Sequence, residues 1–448
     1  MSSFPVWIAK KIIDQLSNRI LTATYRDLPL KFPKSVTVPR FCIVDHNITS
    51  IADAVNENLV GLKRDTVFNT VLNTLHEYAT GEELSLILRK PLIVHDKTTW
   101  NIYGKEVLTD FQNHRYKRAD HFEVNGNSID EVLNLVNFAS AGIFSKLEVS
   151  PLEHELQGLN EQQRYLKEKY GQVRCGRKRF NVIYGVGGGS VIDVAQYAAK
   201  LLNIHFISVP TSLTNDGFAS QFCVLNLDTD GTQTLEANVP LGIIVNLSKI
   251  IANDPYYHRR ISAGIGDLLS NITACQDWQI SPDKVDPIIK HISLFGAESV
   301  MKYIHENGSL DACAKDYTFL ERLAVALIQS GEAMSRYGSS RPGSGFEHKL
   351  YHSFNQVTDY KSKTMHGELV AIGTLISAYA HDQNYEELKS AFEKVGLPTT
   401  LKQLKTVINI PDLELAIATA NNIKPDRYTI LEEKGPEYLL ECFHKVYQ

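Results

Sequence analysis

A two-part architecture is predicted by this sequence: an α/β domain on a parallel sheet, then an all-helical domain. Three observations predict it. Between Phe41 and about residue 250, short β-type runs alternate with helix-period patterns, the order that βαβ units impose. Beyond 250 the alternation stops and apolar residues recur at helical spacing. Residues 180–193 run from an apolar strand through Gly185, Gly187, Gly188 and Gly189 into a helix, a turn almost without side chains.

The elements follow in order. Residues 4–20 set Ile8, Ile12, Leu16 and Ile20 along one helical face, with Ile13 at its edge, and Pro29, Pro33 and Pro39 then punctuate an extended connection. Residues 92–94 are a strand and 102–111 a helix; 121–124 is a second strand, and Ser128 caps a helix running to 138. A strand at 182–184, a helix at 191–202 and a strand at 205–209 complete the clearest βαβ unit. Residues 145–180 break the pattern: charged and Gln-rich, they read as an insertion with one exposed helix. Helices are predicted at 266–278, 287–307, 318–336, 367–381, 385–395 and 412–420. The division expected is an N-terminal extension (1–36), a nucleotide-type domain (37–250, with the insertion) and a helical domain (251–448).

Composition narrows the function. The chain has 448 residues, 43% hydrophobic and 22% charged, an ordinary balance for a soluble protein of two or three domains. A net charge of -5 gives no basic footprint for nucleic acid or an anionic membrane. The short basic clusters at 174–179 and 361–363 read as solvated loops. Cys42, Cys175, Cys223, Cys275, Cys313 and Cys442 are scattered with no C-x-x-C pair, which disfavours a thiolate zinc site or a disulfide framework and suits a reducing cytoplasm. The apolar run near the N-terminus is too short for a signal segment, and no stretch reaches the roughly 18 apolar residues of a membrane span.

Three segments carry chemistry. The glycine turn brings backbone N–H groups and a helix N-terminus close to any phosphate, as in a Rossmann-like domain. Ser190 stands where the dinucleotide fingerprint has its third Gly, so a plain strand-to-helix turn is the competing reading. The loop Ser208-Val-Pro-Thr211-Ser-Leu-Thr214-Asn215-Asp216-Gly217-Phe-Ala-Ser220 gathers hydroxyls, an amide and an acid beyond a buried strand, where open α/β sheets bind ligands. Asp267, His348 and His366 each lie in a small-residue-rich segment near a helix start, and such a set leaves an open position on a metal. Fifteen histidines would supply chance triads, so context rather than spacing supports this set. His352 follows His348 by one helical turn; it reads either as a group near the substrate or as an exposed side chain.

Five motifs occur in sequence at 187–193, 208–220, 263–270, 340–348 and 366–375. Together they resemble the sn-glycerol-1-phosphate dehydrogenase family, related to glycerol dehydrogenases, iron-type alcohol dehydrogenases and dehydroquinate synthases, over about residues 37–400. The resemblance implies a dehydroquinate synthase-like fold and an NAD or NADP cofactor. Gly187, Gly188, Gly189, Ser190 and Val191 would hold its pyrophosphate, and Thr211, Thr214 and Ser220 would also contact it. Asp267, His348 and His366 would bind Zn2+ or another divalent metal such as Ni2+ or Fe2+ and serve catalysis. Asp216, Asp267 and His352 would meet the substrate. Asp96 resembles the acid that holds the adenosine ribose and would favour NAD by repelling a 2′-phosphate; a plain helix-cap Asp is the other reading.

Three positions depart from the family's habit: Ser190 where Lys is frequent, Asn215 where His is frequent, and Gly343 where Ala is usual. Asn271 stands where iron-type alcohol dehydrogenases add a His, and Asp267 where the synthases use Glu. Arg341, Lys361 and Lys363 flank the histidines and could offset a phosphate. The expected activity is NAD(P)H-dependent, metal-assisted, reversible reduction of dihydroxyacetone phosphate to sn-glycerol 1-phosphate. Alternatives are a dehydrogenase of another polyol or phosphopolyol, and a non-catalytic or cyclase relative. The expected setting is cytoplasmic, with a small phosphorylated ketone or polyol as partner, no nucleic acid, no membrane span, and room for a homo-oligomer.

Overall fold

The computed structural model describes residues 39, 41–46, 48–52, 54–55, 90–113, 118–140, 179–227, 232–251 and 256–447. The helix expected at 4–20 lies outside them, as does the insertion at 145–180 apart from Arg179 and Phe180. Six parallel strands form the main sheet: β1 (Phe41–Asp45), β2 (Pro91–His95), β3 (Asp120–Glu123), β4 (Val182–Gly187), β5 (His205–Pro210) and β8 (Gly242–Asn246), in the order β1-β8-β5-β4-β2-β3. Between β5 and β8 the chain makes an antiparallel hairpin, β6 (Phe222–Asn226) with β7 (Thr232–Glu236), which the sequence reading did not separate from the βαβ pattern.

Strand β2 and the central strands β4, β5 and β8 are buried on both faces, which is why they read as continuous apolar runs rather than alternating ones. Leu92, Val94, Ile183, Phe206, Ile243 and Val245 face a core shared with α2 (Ile129–Ala139), α3 (Gly189–Leu202) and the helical region. Ile93, Tyr184, Val186, Ile207, Val209 and Ile244 face the other way, against Tyr103 and against Val107 and Phe111 of α1 (Lys105–Asn113). Ser128 caps α2 as expected, accepting from Glu131 N. The segment before α1 starts earlier than predicted: Asp96 caps an α-turn at Lys97–Thr99 that continues as a π-turn, Trp100–Gly104.

Beyond residue 250 all regular structure among the described residues is helical. The helix expected at 266–278 is two helices, α4 (Tyr257–Leu269) and α5 (Asn271–Ile280), separated at Ser270, whose hydroxyl donates back to Asp267 O at 2.6 Å. Then come α6 (Pro287–Asn307), capped by Asp286, and α7 (Tyr317–Tyr337), capped by Asp316 and ended at Gly338 with φ +79°. Next are α8 (Phe346–Val357), α9 (His366–Ala380), α10 (Tyr385–Lys394), α11 (Leu401–Val407), α12 (Ile410–Thr419) and α13 (Pro436–Val446). All strands of the main sheet point one way, so the turns after β4 and β5 emerge together. Gly187 pairs with Pro210 at that edge, and Thr211 N donates to Gly187 O at 3.0 Å.

Candidate active site

Glycines bring the metal-type ligands together. A Cβ on Gly367 would lie 1.8 Å from Ala263 O, and one on Gly266 would lie 2.4 Å from Gly367 O. Helices α4 and α9 therefore touch backbone to backbone, with Asp267 and His366 beside the contact. A Cβ on Gly264 would lie 1.9 Å from Leu213 O, so α4 is pressed equally closely on the loop after β5. Asp267 Oδ1 stands 2.9 Å from His366 Nε2 and 3.5 Å from His348 Nε2, and one ligand atom from each of the three lies within 4.8 Å of the others.

Helix α8, which carries His348, is anchored by two buried carboxylates. Asp277 accepts from Phe346 N at 2.7 Å and from Ile430 N at 2.6 Å, and its Oδ1 lies 2.8 Å from His381 Nε2. Glu347, wholly buried, accepts from Gly345 N and from Thr273 Oγ1, and its Oε1 lies 3.0 Å from His348 Nδ1. That contact fixes the imidazole with Nε2 toward Asp267, the carboxylate–histidine arrangement that supports metal ligands.

Charge follows the geometry. Burial works against the Asp267 anion, yet hydrogen bonds from His348 and His366 hold its carboxyl well below the ordinary range. Burial likewise opposes the His348 cation, but Asp267 and Glu347 push it up to about 9. A divalent cation meets the same anionic demand. One carboxylate oxygen and two imidazole nitrogens suit zinc, nickel or iron, and bonds of ~2.1 Å would set tetrahedral donors ~3.4 Å apart, near the separations observed. The residues fit the group.

The expected substrate residues border this centre. Asp216 N donates to Asp267 Oδ2 at 3.1 Å, while Asp216 Oδ2 accepts from Ser330 Oγ at 2.6 Å. Burial, then the Asp267 charge, pushes the Asp216 carboxyl up to about 7. Asn271, at the position of the extra His in iron-type enzymes, donates to Ser330 Oγ and Ser293 O instead. His352 sits one turn beyond His348; burial, then the cation of Lys424, pushes its protonation well below the usual histidine value.

The nucleotide-type turn lies beside the same loop. A Cβ on Gly187 would meet Val191 Cβ at 2.5 Å, so this glycine and buried Val191 pack strand against helix. Gly188 and Gly189 have room: added Cβ atoms would stand 3.7 Å from Ser212 Oγ and 4.0 Å from Asn215 Nδ2. Gly188 is the N-cap of α3 without a side-chain cap, and Ser190 is exposed. Thr211 Oγ1, next to the Gly187 turn, and Ser208 Oγ, within β5, are buried without a hydrogen-bond partner. The cradle and its unsatisfied donors fit a pyrophosphate.

Thr214 is partly exposed in the same loop. Ser220 is buried, and its hydroxyl is occupied within its own turn, accepting from Phe222 N. Asp96 is a helix cap, Oδ1 accepting from Thr99 N at 2.7 Å at the carboxyl end of β2. Arg341 is committed elsewhere, donating to Asp283 and Tyr428 O, and exposed Lys361 pairs with Asp359. Glu347, Asp277, Ser330, Lys424 and Arg427 escaped the sequence reading. Of these only Glu347 left a signal, its adjacency to His348.

Comparison with known proteins bears on this geometry. A glycerol-1-phosphate dehydrogenase (NAD(P)+) of Sulfurisphaera tokodaii is 38% identical over 268 residues, covering 57% of this chain and 71% of that protein. One from Sulfolobus acidocaldarius is 36% identical over 299 residues, covering 65% and 82%. The chain belongs to the glycerol-1-phosphate dehydrogenase family. Residues 143–255 also match the model of the iron-containing alcohol dehydrogenases. Glycerol dehydrogenase of Schizosaccharomyces pombe shares the fold, with a TM-score of 0.62 at 18% identity over 93% of this chain and 91% of that one. Within this family-level frame the chain is an NAD(P)-dependent oxidoreductase.

Proposed function

We propose that the protein interconverts dihydroxyacetone phosphate and sn-glycerol 1-phosphate with NAD(P)H. The observation that carries the reading is the convergence of Asp267, His348 and His366 beside Asp216, on a loop that also borders the glycine cradle. When bound, a divalent metal supplies Lewis acidity to the ketone oxygen and the nicotinamide supplies the hydride. The chain's residues do the rest. Gly187, Gly188, Gly189, Ser190 and Val191 form the pyrophosphate cradle, and Thr211 offers its orphan hydroxyl to the cofactor. Thr214 and Ser220 shape the loop, and Asp96 faces the cofactor's ribose. Asp216 holds a proton near neutrality next to Asp267 and orients the substrate. His352, kept neutral, can both donate and accept and so serves a proton path to solvent.

We assign residues 37–250 to the nucleotide domain, 251–448 to the metal and substrate domain, and 1–36 to an extension. Zinc is the metal we favour, NAD the nucleotide, a homo-oligomer the assembly and the cytoplasm the setting. Among the described residues no helix is long and apolar enough to cross a membrane. The test follows NADH and NADPH oxidation by metal-loaded protein with dihydroxyacetone phosphate, beside dihydroxyacetone, with and without chelator. Chelator-sensitive turnover of the phosphorylated ketone, yielding the sn-1 product, is expected. Silence with that ketone despite bound metal and nucleotide would transfer the reading to another polyol, which the departures at Ser190 and Asn215 already favour as the second choice.

A further inference from the structure

The turn that follows α12 carries two cations that, among the described residues, have no carboxylate at ion-pair distance. Residues Ala420–Asn422 form a 3-10 turn packed on α8, and Lys424 follows with a left-handed backbone, φ +44°. That conformation is costly for a residue with a Cβ and is held by its surroundings. Arg427 N donates to Lys424 O at 2.8 Å, and Lys349 Nζ donates to Arg427 O at 2.9 Å. The Arg427 guanidinium donates to Ser344 O and Ser340 Oγ, so it is tied to the segment that leads into α8.

The neighbouring cations are compensated: Lys349 by Glu432 and Arg341 by Asp283. Among the described residues, Lys424 and Arg427 have no carboxylate at ion-pair distance. Asp426, exposed in the same turn, acts on both; Arg427 also feels Glu347 and Asp283, whereas Asp426 is the one acid acting on Lys424 among the described residues. Burial, and then the Arg427 charge, pushes the Lys424 ammonium down to about 7. A half-buried cation of this kind loses part of its hydration and is costly unless an anion joins it. Both cations act on His352, which is adjacent to the metal-type histidines.

We propose that Lys424, with Arg427 and His352 beside it, binds the phosphate of the substrate. This rests on the reading of a phosphorylated ketone at the Asp267–His348–His366 centre and names the residues that select it. The reach agrees: one turn of α8, ~6 Å, separates His348 from His352, and the phosphorus of dihydroxyacetone phosphate stands three bonds from the carbonyl carbon. Of the basic residues that flank the ligand histidines in sequence, Arg341 and Lys361 already hold acids, and the Lys363 side chain is exposed.

The test compares wild type with Lys424→Met and Lys424→Arg in three assays. These are turnover of dihydroxyacetone phosphate and of dihydroxyacetone, inhibition by inorganic phosphate, and calorimetric binding of inorganic phosphate to the nucleotide-loaded protein. Loss of a charge-assisted contact predicts a KM for the phosphorylated ketone raised about 100-fold in Lys424→Met, with kcat changed far less. Dihydroxyacetone turnover should fall much less, phosphate binding should vanish, and Lys424→Arg should restore most of both. Equal losses on the two ketones, or a KM within about threefold of wild type, would overturn the assignment. Should wild type be silent on dihydroxyacetone phosphate, the functional reading fails while calorimetry still decides this one. Phosphate bound by wild type and lost in Lys424→Met would support the site for another phosphorylated substrate, and no binding to wild type would overturn it.

Discussion

Glu347 spends its charge on orientation. Its Oε1 meets His348 Nδ1 while the backbone at Gly345 and the Thr273 hydroxyl hold the carboxylate in place. Glu347→Gln keeps the size but can present an amide N–H to that nitrogen and weakens the orientation of the ring. Metal affinity, read by competition with a chromogenic chelator, should drop about 10- to 100-fold, with nucleotide affinity unchanged; retained metal affinity would make Glu347 a packing residue. Asp193 on α3 titrates differently from a surface acid, since burial pushes its carboxyl up to about 8 against the opposing bond from Val224. Its folded value lies above the unfolded value of about 4, so the contribution to stability is full below pH ~4 and is lost as pH rises through 8. Asp193→Asn should therefore gain in Tm relative to wild type between pH 5 and 9; a constant difference would mean an ordinary carboxyl. The candidate metal residues Asp267, His348 and His366 could be singled out in the sequence because small residues surround each of them. Lys424 was not, because its significance lies in which acids are missing around it, a tertiary fact without a local pattern.

Glycine acts oppositely in the two glycine-rich elements. At Gly367 an added methyl would strike Ala263 O at 1.8 Å, whereas at Gly189 it would find 4.0 Å of clearance. Gly367→Ala should force α4 and α9 apart, costing roughly 1–3 kcal/mol or more of stability and loosening metal binding with it. Gly189→Ala should leave Tm within a degree or two but weaken NADH binding, measured by fluorescence titration. The opposite pattern would exchange the two roles. Element boundaries reflect the same physics. The helix at 287–307 was readable from Asp286, Pro287 and its apolar period. The start of α4 was misplaced because Gly264 and Gly266, which resemble a helix break in sequence, are interior positions where two backbones meet. The β6–β7 hairpin was missed because β7 is Thr-Gln-Thr-Leu-Glu, largely polar, with only Leu235 buried.

For the molecule as a whole, sheet and helices share one core, so a ligand bound at either end stabilises both. At a ligand concentration of 100 Kd the gain is about 2.7 kcal/mol. Metal and NADH should each raise Tm in wild type; His366→Ala should lose the metal-induced rise and keep the NADH-induced one. Loss of both would show that metal and nucleotide sites are not separable. The α/β-then-helical order was legible from periodicity alone, since buried parallel strands and amphipathic helices leave different signatures. The grouping of Asp267, His348 and His366 was expected from small-residue context and the motif resemblance and not from periodicity, because their meeting depends on how α4, α8 and α9 cross. That crossing also sets where the protein can change over evolutionary time. Asp267 and His366 lie beside two backbones that tolerate no added atom, while the proposed phosphate contact hangs on the single turn around Lys424. Mutational drift in that turn can retune which molecule is accepted and leave the chemistry intact, so a lineage bearing this scaffold can acquire new substrates without reinventing its centre.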